Sequence, residues 1–251
     1  MMKLFRYEMI KTRVSKFIVL GITAAMELIF LLGLILNNDM IQITGALLLL
    51  WIAVVGIVWI GIVSVITLHR DMNSRRGYML FMTPNSSYRI LGAKYLENGL
   101  SILIAAAFFG ALGVLDITLL FRHHQELDQI SEVMHDLFSA IFQNISLDPA
   151  SIISFLVYLV FDWLFTISLA YLAVIVCTSL MNGKKGNMFL SFLLFLVLDI
   201  GFSLLFSVLI PGKVEGGTMV GSFLARSGLC LAITAVFYWL NATIMDKKLS
   251  V

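Results

Sequence analysis

Residues 44–68 read TGALLLLWIAVVGIVWIGIVSVITL, without a single Asp, Glu, Lys or Arg. About 20 helical residues cross the roughly 30 Å hydrocarbon core of a bilayer, so this run is long enough to do it alone. It is apolar on every side rather than along one stripe, as a helix surrounded by lipid must be. Five more runs of this kind follow or precede it, at roughly 17–36, 97–121, 151–181, 188–210 and 220–243. Hydrophobic residues make up 60% of the 251 positions and charged residues 13%, against about half and a quarter in a soluble domain. The mean hydropathy is +0.99. The class that fits is an all-α integral membrane protein with six spans in one transmembrane domain, 1–251.

Working outward from the second span, HRDMNSRRGYMLFMTPNSSYRILGAKYLE (69–97) joins it to the third. With the N-terminus inside, this segment is cytoplasmic. The inner side then holds Lys3, Arg6, Lys11, Arg13, Lys16, Arg70, Arg75, Arg76, Arg89, Lys94, Lys184, Lys185, Lys247 and Lys248, leaving Arg122, Lys213 and Arg226 outside. Such an excess of Lys and Arg on one side sets orientation, so both termini are expected in the cytoplasm of a multi-pass plasma-membrane protein.

The flanking segments also carry a pattern. Residues 1–16, MMKLFRYEMIKTRVSK, mix bases with Leu4, Phe5, Met9, Ile10 and Val14, which predicts a short helix lying in the head-group region. A cleaved leader is not expected, because the first apolar run lacks a small-residue cleavage pattern. Between the third and fourth spans, Ile130, Met134, Leu137 and Ile141 recur at helical spacing while Glu126, Asp128, Glu132 and Asp136 take other faces. That spacing predicts an outer amphipathic helix within 122–150. Cys177 and Cys230 lie within the fourth and sixth spans. At different depths they cannot meet the roughly 7 Å limit of a disulfide, so two free buried thiols are expected.

A search for catalytic chemistry finds no G-x-x-x-x-G-K-[ST], H-E-x-x-H, G-x-S-x-G or C-x-x-C pattern. The chain is therefore read as non-enzymatic, with no nucleotide site and no nucleic-acid partner. The vicinal His123 and His124 make a poor chelate, and no metal site is expected. The acids inside the spans are more informative. Glu27, Asp116, Asp162 and Asp199 stand in the first, third, fourth and fifth spans. A charge at mid-bilayer costs about 2.5–3.5 kcal/mol on insertion scales, so such groups face protein or water. They either line a polar pathway for a cationic or amphipathic solute or serve as hydrogen-bonding links between helices. The pairs Gly56/Gly61 and Gly110/Gly113 lack the G-x-x-x-G spacing of close helix packing.

A basic interfacial N-terminus, six spans and the segment RDMNSRRGYMLFMTPNSSYRILGAKYL together resemble the ABC-2 type permeases, the membrane subunits of type V ABC transporters. The motif resemblance is carried by Asp71, Gly77, the apolar stretch Tyr78–Met82, Pro84 and Lys94. In that family residues 1–16 would form an elbow helix, and the loop at about 69–96 a coupling helix that docks on the ATPase. The resemblance implies that Tyr78, Met79, Phe81 and Met82 are apolar knobs on the ATPase, with Arg75, Arg76 and Arg89 orienting them. It implies two copies of an ABC ATPase subunit, a second permease subunit (identical or related) and membrane lipids as partners. ATP and Mg would be held by the ATPase, with no cofactor bound by this chain. Chains of this size resemble bacterial exporters of the phenol-soluble modulin and bacteriocin-immunity type, so the implied function is export of an amphipathic or hydrophobic substrate, a peptide by analogy. The alternative is a self-contained solute-binding or secondary transport protein without an ATPase. The short IPGKVEGGTMVG (210–221) departs from the family, which places re-entrant helices between the last two spans.

Overall fold

The computed structural model describes residues 2–73, 86–124, 149–181, 187–209 and 219–249. These form six α-helices: α1 (Met2–Ile35), α2 (Asp39–Asn73), α3 (Ser87–His124), α4 (Pro149–Met181), α5 (Asn187–Leu209) and α6 (Met219–Leu249). All six are long and apolar enough to cross a membrane. The chain is an all-helical, multi-pass membrane protein, as its apolar runs predict.

The helix ends differ from the hydropathy boundaries. Residues 2–16 are not a separate helix but the first half of α1, which runs unbroken for 34 residues. No Gly or Pro precedes Gly21 to interrupt it. At 1.5 Å per residue, α1 is about 51 Å long, well beyond the hydrocarbon core. Likewise α2 continues to Asn73 and α3 begins at Ser87, where the apolar windows end at 68 and begin at 97. Hydropathy falls at the first charge, whereas helical hydrogen bonding continues through it. The remainder of the expected coupling loop, 74–85, lies outside the described residues, as does the expected outer helix with Ile130, Met134, Leu137 and Ile141.

Two compact units divide the chain, and α2 and α3 each contribute to both. One contains α1, α2 to Ser64 and α3 from Leu96. Its α1–α2 hairpin closes at Asn37, which takes φ 48°. The Asn37 N–H donates to the Leu34 carbonyl and the Asn38 N–H to the Gly33 carbonyl, capping the last turn of α1. Asn38 Oδ1 then accepts from the Met40 and Ile41 N–H groups and starts α2. The two helices touch backbone to backbone beyond the turn. A Cβ at Gly33 would lie 2.5 Å from the Gln42 nitrogen, and one at Gly45 2.6 Å from the Phe30 Cα. Gly110 and Gly113 have nothing within 4 Å of such an atom, so the close packing falls on other glycines. Farther along, Glu97 Oε1 accepts from Thr12 Oγ1 and Lys16 Nζ, both at 2.7 Å, and Lys16 Nζ also lies 2.6 Å from Ser101 Oγ. This buried cluster holds the first half of α1 along α3.

The other unit contains Val65–Asn73 of α2, Ser87–Tyr95 of α3, and α4, α5 and α6. Helix α4 is its centre: Ser168, Leu169, Tyr171, Ala173 and Ile175 are fully buried. On one side it packs with Leu68, Leu91, Ala242 and Met245. On another, Phe165 and Leu169 pack with Cys230 and Phe237 of α6 and with Phe202 and Phe206 of α5. The ring pairs Phe155–Phe223 and Phe165–Phe237 rise together along α4 and α6, which therefore run parallel. Within each unit the hydroxyls of Thr23 and Thr178 donate to the carbonyls four residues earlier, the cheapest way to carry a hydroxyl through lipid. Cys177 and Cys230 are free and buried, as expected.

Candidate functional site

Two places in the α4-centred unit combine buried charge with strategic position. The first lies where α2 ends and α3 begins. Lys94 Nζ is 2.7 Å from Asp71 Oδ2, and the pair is almost fully enclosed. Around it several polar groups are paired. Tyr238 donates its hydroxyl to the Tyr88 carbonyl at 2.7 Å. Tyr95 donates to Ser168 Oγ at 2.7 Å, and Asn241 Nδ2 to the Ser168 carbonyl at 3.3 Å. The Ser87 N–H, at the start of α3, donates to Asp246 of α6 at 3.4 Å, where a carboxylate also suits the helix dipole. The rings of Tyr88, Tyr95, Tyr171 and Tyr238 meet edge to face. Both flanks of segment 74–85 are thereby fastened to α4 and α6.

Of the expected coupling residues, only Asp71 and Arg89 are described. Asp71 is 7% exposed and committed to Lys94, whereas Arg89 faces outward. Arg75, Arg76, Gly77, Tyr78, Met79, Phe81, Met82 and Pro84 lie outside the described residues.

The second place is a cavity of about 440 Å³ between α4, α5 and α6. Asp162 and Asp199, predicted as pathway acids from separate spans, face it together, joined by Tyr158 and Arg226. The Tyr158 hydroxyl donates to Asp162 Oδ1 at 3.3 Å. Asp162 lies within electrostatic reach of both Asp199 and Arg226. Arg226, counted with the outer-side bases, stands seven residues into α6 and lines the cavity. The signal was present, because an Arg inside an apolar run is as costly as an acid and needs the same explanation.

The other two candidate acids meet in the α1-containing unit. Glu27 of α1 and Asp116 of α3 lie within electrostatic reach of one another. The four acids thus resolve into two pairs rather than one line. Among the described residues no three His, Cys, Asp or Glu side chains are grouped to hold a metal ion.

No family model, curated protein or solved structure matches the chain.

Proposed function

We propose that this chain is the membrane subunit of an ATP-driven exporter of the ABC-2 type, working as a homodimer or with a related subunit. It would move an amphipathic or hydrophobic substrate, a peptide by class, out of a bacterial cell. The observation that carries the reading is the Asp71–Lys94 clasp at 2.7 Å, which brackets the basic–apolar–basic segment resembling a coupling helix. A partner pushing on that segment meets two helix ends that cannot yield separately. Through Tyr88, Tyr95, Ser87 and their partners the push reaches α4 and α6, which line the charged cavity.

The chemistry of ATP lies in the partner. Closure of two ATPase subunits around Mg-ATP would move residues 74–85, with Phe81 and Met82 as anchors and Arg75, Arg76 and Arg89 as orienting charges. Asp71 then acts as a positioning residue, since its carboxylate is committed inside the fold. The basic residues of 69–97 and of both ends of the chain face the cytoplasm in this arrangement, which also suits anionic lipid head groups.

The test is coexpression with a candidate ABC ATPase subunit, followed by purification and reconstitution in liposomes. The expected result is a stable complex with ATP-dependent substrate movement, and loss of the ATPase from the Phe81→Asp/Met82→Asp variant while the chain still inserts. Solute movement by the chain alone, driven by an ion gradient without ATP, would favour the self-contained carrier instead.

A further inference from the structure

We infer that the cavity between α4, α5 and α6 is a binding site for a singly charged organic cation, with the Asp199 carboxylate as its counter-ion. Among the described residues that line the cavity, two carboxylates face one guanidinium. Asp162 is engaged already: Tyr158 donates to it at 3.3 Å and Arg226 lies within its electrostatic reach. Asp199 stands near the middle of α5, an otherwise uncharged 23-residue span, and makes no hydrogen bond or ion pair among the described residues. A carboxylate held at that depth is stable only opposite a cation or water.

The other lining groups say which kind of cation. The Thr166 hydroxyl donates to the Asp162 carbonyl at 3.0 Å and the Ser207 hydroxyl to the Leu204 carbonyl at 2.7 Å, so their protons are committed within their own helices and their oxygens can act only as acceptors. Ser203, Cys230 and two phenyl rings complete the described lining. Phe165 and Phe206, with centroids 5.3 Å apart, place two aromatic rings in the wall, and such rings attract an ammonium. The volume of about 440 Å³ lies within the usual range of small-molecule sites. An alkyl or aralkyl ammonium fits on all counts, whether free or as a lysine side chain or N-terminus of a peptide. Any claim that such a cation is transported rests on the exporter reading; its binding does not.

The test uses the full chain in nanodiscs of zwitterionic lipid, without ATP or ATPase, with empty nanodiscs subtracted to remove membrane partitioning. Three probes of similar size are titrated calorimetrically: phenethylamine, 2-phenylethanol and phenylacetate. Phenethylamine is expected to bind at least about tenfold more tightly than the alcohol, with phenylacetate weakest. Asp199→Asn should remove that tenfold preference and leave the weak binding of the alcohol unchanged. Equal binding of amine and alcohol, absence of amine binding, or an unchanged preference in Asp199→Asn would overturn the assignment. If Asp199→Asn does not fold, the three-probe comparison on the native chain decides by itself. Failure of an ATPase to associate would overturn the exporter reading and leave this result standing.

Discussion

Lys94 Nζ sits 2.7 Å from Asp71 Oδ2, with side-chain exposures of 2% and 8%. Twenty-three positions separate the two residues in sequence, and the most distinctive segment of the chain runs between them. Removing one partner of such a pair leaves a buried charge, at a cost of about 3–5 kcal/mol. Lys94→Met is therefore expected to lower the thermal stability of the purified chain strongly, and Asp71→Leu/Lys94→Met to recover most of the loss. A single variant as stable as the parent would remove the clasp from the coupling argument.

The α1–α2 hairpin depends on two glycines that the sequence does not distinguish from the rest. Gly33→Ala and Gly45→Ala each place a methyl group less than 3 Å from backbone atoms of the opposite helix. Overpacking of that kind costs about 1–3 kcal/mol or more when the obstacle cannot rotate away. Gly110→Ala and Gly113→Ala meet open space and should be neutral or stabilising, by up to about 1 kcal/mol from helix propensity. Melting temperatures of the four variants, compared side by side, check the contrast.

At the hairpin turn, Asn37 holds a left-handed conformation at φ 48°. Asn37→Gly should be at least as stable as the parent, whereas Asn37→Val should lose about 1–2 kcal/mol because a branched side chain clashes there. Equal stability of the two variants would show that the turn does not retain this backbone in the membrane.

Glu97 accepts from both Thr12 and Lys16 at 2.7 Å and is 3% exposed. Glu97→Ala leaves those donors without their acceptor, a loss of about 1–3 kcal/mol. The effect should be local: hydrogen exchange over residues 2–16 rises while that of α4 is unchanged. Uniform exchange across the chain would contradict the division into two compact units.

Tyr95→Phe removes the 2.7 Å bond to Ser168 and little else, so it should cost about 0.5–1.5 kcal/mol. In a reconstituted complex the same variant should uncouple ATP hydrolysis from transport more than it reduces ATPase binding. Loss of ATPase binding alone would place Tyr95 outside the coupling route.

The sequence by itself determined the class of protein and the number of spans. Runs such as 44–68 have no means of satisfying their surroundings except as helices in lipid, and that physics is local to each run. It also marked Glu27, Asp116, Asp162 and Asp199 as residues needing an explanation, because a charge in an apolar run is costly wherever the run ends up. The tertiary structure alone decided which of these groups meet. It set Glu27 beside Asp116 and brought Asp162 and Asp199 to one cavity with Arg226. It also joined the first half of α1 to α3 through Glu97, where the sequence shows only a basic, mixed segment ahead of an apolar run. The reason is the same in each case. Hydropathy sums over neighbours along the chain, whereas an ion pair, a helix contact or a cavity depends on which faces of different helices are turned together, and that follows from packing.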